Sequence, residues 1–324
     1  MPCRFIASLM LLLLSFGPTA RAALLVKSGQ KIVFMGDSIT EIGWGQQGGW
    51  VRLVVAGMGS MGANITPIPS GVPGQTSREM VARVKPDVLD KKPDWLVLSC
   101  GVNDVWHGPE PSGVNLDHYK QNITSIVDQA LAAGIKVMIM TSTGIGEDLP
   151  NGNNVALIQY NDFLKQLAKD RNLPVADENA VFRAAITAAH APAGTNVVTI
   201  DGVHPIVPGH LLMARTLMAA FGASADDLAK LDQFWQDMPA GATVSAEMFI
   251  RGAGLISLRQ YAVFKAAAEQ QKLTVDELAL KIYYEVMVQE VNAHAADPKP
   301  VSGMQYNNEF QKIYQARIDA LCKS

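Results

Sequence analysis

The chain has 324 residues, 48% of them hydrophobic and 18% charged, with a net charge of −3. That length suits one large domain or two modest ones, and the composition is that of a globular protein with a real core. So small a net charge gives no electrostatic basis for binding nucleic acid or an anionic membrane surface.

At the N-terminus Arg4 supplies a positive charge, Phe5 to Phe16 form a short apolar run, and Ala20-Arg21-Ala22 fits an Ala-x-Ala cleavage site. This pattern predicts a signal peptide over 1–22, cleaved after Ala22, and a secreted or periplasmic mature chain. The apolar run is shorter than the roughly 20 residues of a spanning helix, so no stable membrane insertion is expected. Cleavage leaves Cys100 and Cys322, too few for a disulfide framework. Cys100 follows an apolar strand pattern and is expected as a buried small side chain; a bridge to Cys322 is left open.

From about Lys31 to Phe221 strand and helix signals alternate. Buried-strand patterns lie at Lys31–Met35, Trp95–Ser99 and Lys136–Thr141, with weaker ones near Ile65–Ile68 and Leu173–Ala176. Helical spacing covers Trp50–Met58, Ser77–Leu89, Leu116–Ala133, Val155–Arg171 and Gly209–Phe221. Such alternation predicts an α/β layered fold around a parallel sheet, with its site at the carboxyl ends of the strands. The run Gly57-Met58-Gly59-Ser60-Met61-Gly62 matches a dinucleotide fingerprint, but Pro67, Pro69 and Pro73 forbid the helix that must follow it. Its glycines are read as the end of the helix that begins near Trp50, and no cofactor is expected.

Four polar or glycine-rich segments fall mostly at strand ends. Gly36-Asp37-Ser38 follows the first strand, and Ser70-Gly71-Val72-Pro73-Gly74-Gln75-Thr76 follows the second. Gly101-Val102-Asn103-Asp104 follows the third, and Asp201-Gly202-Val203-His204-Pro205 lies near the end of the α/β region. A serine just past a strand, at a helical start, is placed as an exposed nucleophile beside unpaired helix N–H donors. A histidine within about 2.6–3.2 Å is the base such a serine needs, and a carboxylate three residues before it can hold the other ring nitrogen.

In this combination and order the four segments resemble the SGNH hydrolases, or GDSL esterases and lipases, over roughly Lys31 to Phe221. The resemblance implies a three-layer α/β/α sandwich with a parallel five-stranded, flavodoxin-like sheet. It implies Ser38 as nucleophile, His204 as general base and Asp201 as its orienting acid. It also implies an oxyanion hole made by the Ser38 amide, the Gly74 amide and the Asn103 side chain. Gly74 is expected to be glycine because a side chain could block the acyl oxygen.

Asp37 and Asp104 are read as bracing loops by local hydrogen bonds. His107, His118, His190 and His294 lack the context of His204, and His210 is read as starting a helix. Trp50 fits a helix core, which leaves Trp44 and Trp106 as candidates for stacking on a sugar. No cluster has metal-ligand spacing, so no metal is expected.

The chain is thus divided into a signal peptide over 1–22, a catalytic domain over 23–222 and a mainly helical extension over 223–324. In the extension a strand is expected at Thr243–Ile250. Helices are expected at Leu258–Gln270, at Leu278–Val291 behind a Thr274/Glu277 capping box, and at Asn307–Leu321. The extension is expected to pack on the core, with pairing into a homodimer as the other reading. The expected activity is hydrolysis of short acyl esters, above all acetyl esters of carbohydrate. A lysophospholipase or lipase, an acyltransferase and a non-catalytic carbohydrate-binding protein are the alternatives.

Overall fold

A computed structural model describes residues 24–46, 48–190, 196–236, 243–244 and 256–273, with isolated positions at 278, 281, 282, 285 and 316. The expected signal peptide, the Thr274/Glu277 capping box and Cys322 lie outside the described residues, as do most positions of the helices expected at Leu278–Val291 and Asn307–Leu321.

Five parallel strands form the centre: β1 (Lys31–Gly36), β2 (Thr66–Gly71), β3 (Trp95–Ser99), β4 (Lys136–Met140) and β5 (Val175–Ala176), in the order β2-β1-β3-β4-β5. Ile32, Val33, Phe34 and Met35 of β1 and all of Trp95 to Ser99 of β3 are buried. Continuous burial of this kind is what a sheet covered on both faces requires of its central strands.

The covering helices are α2 (Trp50–Ser60), α3 (Ser77–Asp87), α5 (Leu116–Ala132), α6 (Gly152–Arg171), α7 (Glu178–Ala189) and α8 (Val207–Ala220), with α1 (Ser38–Gly45) and α4 (Val102–Trp106) at the strand ends. α3, α5 and α6 pack as neighbours in one layer, and α2, α8 and α7 in the other. Sequence spacing explains the layer contacts: α5 turns Tyr119, Ile123, Ile126, Val127 and Ala130 to the core. Thr76 and Glu79 form a reciprocal capping box that fixes the start of α3. α2 runs through the glycine-rich stretch to Ser60, so those glycines sit in and after a helix end, not in a nucleotide loop.

α7 carried no legible signal. Only Glu178 and Phe182 of it are buried, and its alanines give little contrast between faces.

The described part of the extension begins with α9 (Ala225–Gln236), which packs on α2 and α8. Trp235 is fully buried, and its indole N–H donates to Leu53 O at 2.8 Å. The short antiparallel pair β6 (Thr243–Val244) and β7 (Ile256–Ser257) precedes α10 (Leu258–Gln270). α10 packs against α9 and coincides with the helix expected there.

Candidate active site

The chain leaves β1 toward β2 on one side and later returns to place β3 on the other. The carboxyl ends of β1 and β3 therefore flank the switch point where open α/β sheets form their crevice. Ser38 follows β1 and Asn103 follows β3.

Asp37 caps α1: its Oδ1 accepts the Ile39 amide at 2.9 Å, which makes Ser38 the first helical residue. The Ser38 amide is thus one of the helix's unpaired N-terminal donors. The end of β2 comes very close to this turn. A Cβ on Gly71 would stand 2.2 Å from Glu41 N, so only glycine lets the two segments meet.

Ser38 Oγ lies 2.9 Å from His204 Nε2, and His204 Nδ1 lies 2.7 Å from Asp201 Oδ2. Asp201 Oδ1 also accepts the Val203 amide at 3.0 Å and the His204 amide at 2.8 Å, which closes the turn around its own carboxylate. Partial burial would raise the Asp201 pKa, but the His204 amide and ring and the Val203 amide outweigh it and hold the carboxyl below its usual range. A charged Asp201 accepts a hydrogen bond from Nδ1–H, which favours the tautomer whose bare Nε2 accepts a hydrogen bond from the Ser38 hydroxyl.

Asn103 is tied to Gln75, the residue after Gly74. Asn103 Nδ2 donates to Gln75 O at 3.0 Å, which leaves its second proton for another acceptor. Asp104 accepts the Ser77 amide at 3.0 and 3.1 Å through its two oxygens, tying α4 to the start of α3. Gly74 has φ +75°, and a Cβ there would meet nothing within 4 Å. The backbone conformation, and not crowding from the protein, is what favours glycine at this position.

Several titratable groups in this part of the fold are buried, and burial favours their neutral forms. Burial, with Asp104 nearby, pushes the Asp37 carboxyl up to about 6 despite the Ile39 amide and His204. Burial also raises Asp104, against the Ser77 hydrogen bonds. Cys100 is a buried free thiol whose Sγ lies 3.5 Å from Asp104 Oδ2, and burial pushes its pKa well up, so it is no nucleophile. His210 sits inside α8, fully buried, and burial lowers its pKa to about 3. Among the described residues no group of His, Cys, Asp and Glu could hold a metal ion, and no helix is long and apolar enough to cross a membrane.

The two tryptophan candidates part company. Trp106 is 42% exposed and meets the His204 ring edge-on, with centroids 6.3 Å apart. Trp44 is instead covered by the Arg52 guanidinium, 4.4 Å from its ring centre. Ile200 was not anticipated: it is an exposed aliphatic side chain whose amide donates to His204 O at 2.9 Å. One sequence signal marks it, an apolar residue directly before the Asp-x-x-His segment.

The family model for GDSL-like lipases and acylhydrolases matches residues 34–212, more than half of the chain. An acetylxylan esterase from Geobacillus stearothermophilus is 29% identical over 214 residues, covering 61% of this chain and 96% of that protein. Its crystal structure aligns with a TM-score of 0.56 at 29% identity, over 62% of this chain and 98% of the other. A second solved acetyl xylan esterase aligns with a TM-score of 0.55 at 29% identity, over 59% of this chain and 98% of its own. Solved variants of the Geobacillus enzyme described as catalytic mutants replace a serine, an aspartate and a histidine by alanine, the aspartate three positions before the histidine. The same spacing separates Asp201 from His204.

Proposed function

The chain belongs to the GDSL-like lipase/acylhydrolase family and is a serine carboxylesterase; from that premise we propose that it is a secreted carbohydrate acetylesterase acting through Ser38, His204 and Asp201. The observation that carries the catalytic part is the continuous relay from Ser38 Oγ to His204 to Asp201, at 2.9 and 2.7 Å. The substrate class rests on the likeness to an acetylxylan esterase over 96% of that enzyme's length. Export rests on the N-terminal pattern of charge, apolar run and Ala20-Arg21-Ala22. In this reading 23–222 is the catalytic unit and 223–324 an extension that packs on it.

In the proposed mechanism Ser38 Oγ attacks the acetyl carbonyl carbon as its proton passes to His204 Nε2. The amides of Ser38 and Gly74 and the free Asn103 Nδ2 proton stabilise the oxyanion of the tetrahedral intermediate. His204 then gives its proton to the departing sugar oxygen, leaving an acetyl-Ser38 ester. Water enters, loses a proton to His204 and attacks the same carbonyl; collapse releases acetate and restores the Ser38 hydroxyl. Asp201 stays ionised and steadies the imidazolium formed in each half. The sugar leaves on the His204 side, where Trp106 and Ile200 offer apolar surface.

The test is acetate release from acetylated xylan, beside turnover of p-nitrophenyl acetate, butyrate and octanoate. Release of acetate by the wild type and not by Ser38→Ala supports the proposal. Preference for octanoate with no release from xylan would overturn the substrate class in favour of lipid.

A further inference from the structure

The Asp201–His204 turn has no strand of its own in the sheet. β5 ends at Ala176, and the turn follows α7 and residues 196–200 before α8 begins at Val207. Ser38, by contrast, directly follows β1, an interior strand of the sheet. Whatever sets the distance between them must therefore tie the turn to the body of the protein.

One carboxylate gathers much of that tie. Glu147, in the loop between β4 and α6, accepts four hydrogen bonds. Its Oε2 takes the Val197 amide at 2.6 Å; its Oε1 takes the Val198 amide at 3.0 Å, the Thr199 amide at 2.8 Å and the Thr199 hydroxyl at 2.6 Å. The Thr199 oxygen passes the contact on by accepting the Gly202 amide at 3.1 Å. Thr199 bridges Pro205, and the Ile200 amide meets His204 O, so the turn is closed at its base.

The loop that carries Glu147 is itself fixed. Asn154 of α6 accepts the Ile145 amide at 2.9 Å and donates to Gly146 O at 2.9 Å and Asp148 O at 3.0 Å. The Gly146 amide donates to Gly202 O at 2.7 Å, and a Cβ on Gly202 would stand 2.8 Å from Gly146 Cα. Gly202 also has φ +91°, so the contact is open to glycine alone.

We propose that Glu147 is a positioning residue for catalysis, hanging the Asp201–His204 turn from the sheet so that His204 Nε2 meets Ser38 Oγ. The inference rests on the triad reading above. An ionised acceptor suits the role because charge-assisted bonds to three successive amides and a hydroxyl are short and directional. A glutamine would present an N–H toward the Val197 amide, where an acceptor is needed.

The experiment compares Glu147→Gln, Thr199→Val and Ser38→Ala with the wild type on p-nitrophenyl acetate. Each is followed by proton NMR at the downfield Nδ1–H signal of His204. Misplacement of a catalytic group by about 1 Å costs roughly 10²-fold, so Glu147→Gln is expected to lower kcat about 10- to 100-fold with KM within about twofold. Its His204 signal is expected to broaden or vanish, and Thr199→Val is expected to show a smaller loss of the same kind. A folded Glu147→Gln enzyme with wild-type kcat and an intact signal would overturn the proposal. Failure of both Glu147→Gln and Thr199→Val to fold would overturn it too, by assigning the carboxylate to stability. If Ser38→Ala keeps full activity, the triad reading fails, and the NMR signal alone then decides whether Glu147 orders the turn.

Discussion

The ring of Trp106 meets the ring of His204 edge-on, with 6.3 Å between centroids and an interplanar angle of 67°. Trp106 is also 42% exposed, so it is open to solvent beside the His204 ring. An aromatic contact contributes about 0.5–1.5 kcal/mol. Trp106→Ala is expected to raise KM for an acetylated xylo-oligosaccharide about 2- to 12-fold by that energy, and to leave KM for ethyl acetate unchanged. Equal effects on both esters would remove Trp106 from sugar recognition.

The Ser38 hydroxyl lies 2.9 Å from His204 Nε2, and Asp201 holds the other ring nitrogen. Ser38→Ala and His204→Ala are each expected to lower kcat by at least about 10³-fold, and the double variant to lose little more, because the groups act as a unit. Additive losses, measured on p-nitrophenyl acetate, would show that the two side chains do not share a step.

Asn103 Nδ2 has one proton committed to Gln75 O and one free. Losing an oxyanion donor costs about 10²–10³ in kcat. Asn103→Ala is expected to fall in that range with KM little changed. A rise in KM at constant kcat would instead assign Asn103 to ground-state binding.

Asp37 is buried, and its carboxyl is raised from 3.8 to about 6. The folded state holds this proton more tightly than the unfolded state. Asp37 therefore weakens stability as pH rises through the window between those values, and the penalty is complete above it. Asp37→Asn keeps the helix cap and removes the penalty. It is expected to be more stable than wild type by roughly 1–3 kcal/mol at about pH 7, with the difference fading by about pH 4. Urea denaturation at the two pH values checks this; a difference that does not change with pH would refute it.

Trp235 ties α9 to α2 from beyond the expected catalytic boundary. Truncating a buried tryptophan costs about 3–5 kcal/mol. Trp235→Ala is expected to destabilise the whole protein by that amount in a single transition. A separate, earlier transition would show that the extension unfolds on its own.

The strands and most helices were legible because each carries an apolar period that a layered sheet demands. The runs at Trp95–Ser99 and Leu258–Gln270 agree with the structure to the residue. The candidate site was legible for a different reason: the short segments that hold Ser38, Asn103, Asp201 and His204 resemble, together and in order, those of the GDSL family. Glu147 was not, because a lone glutamate in a loop looks like any solvated charge until a distant segment brings three amides to it. Trp44 and Trp106 looked alike in sequence. Only packing, with Arg52 over one ring and His204 beside the other, separates them.

Ser38 and His204 are 166 positions apart, the first beyond the opening strand and the second beyond the last strand of the five-stranded sheet. A ribosome delivers chains from the N-terminus, and structure forms as segments emerge. The serine is thus made early and stays mute until all five strands are in place and the late turn docks. On the proposed triad, hydrolysis would then report completion: a half-assembled chain would have Ser38 in place and His204 not yet beside it.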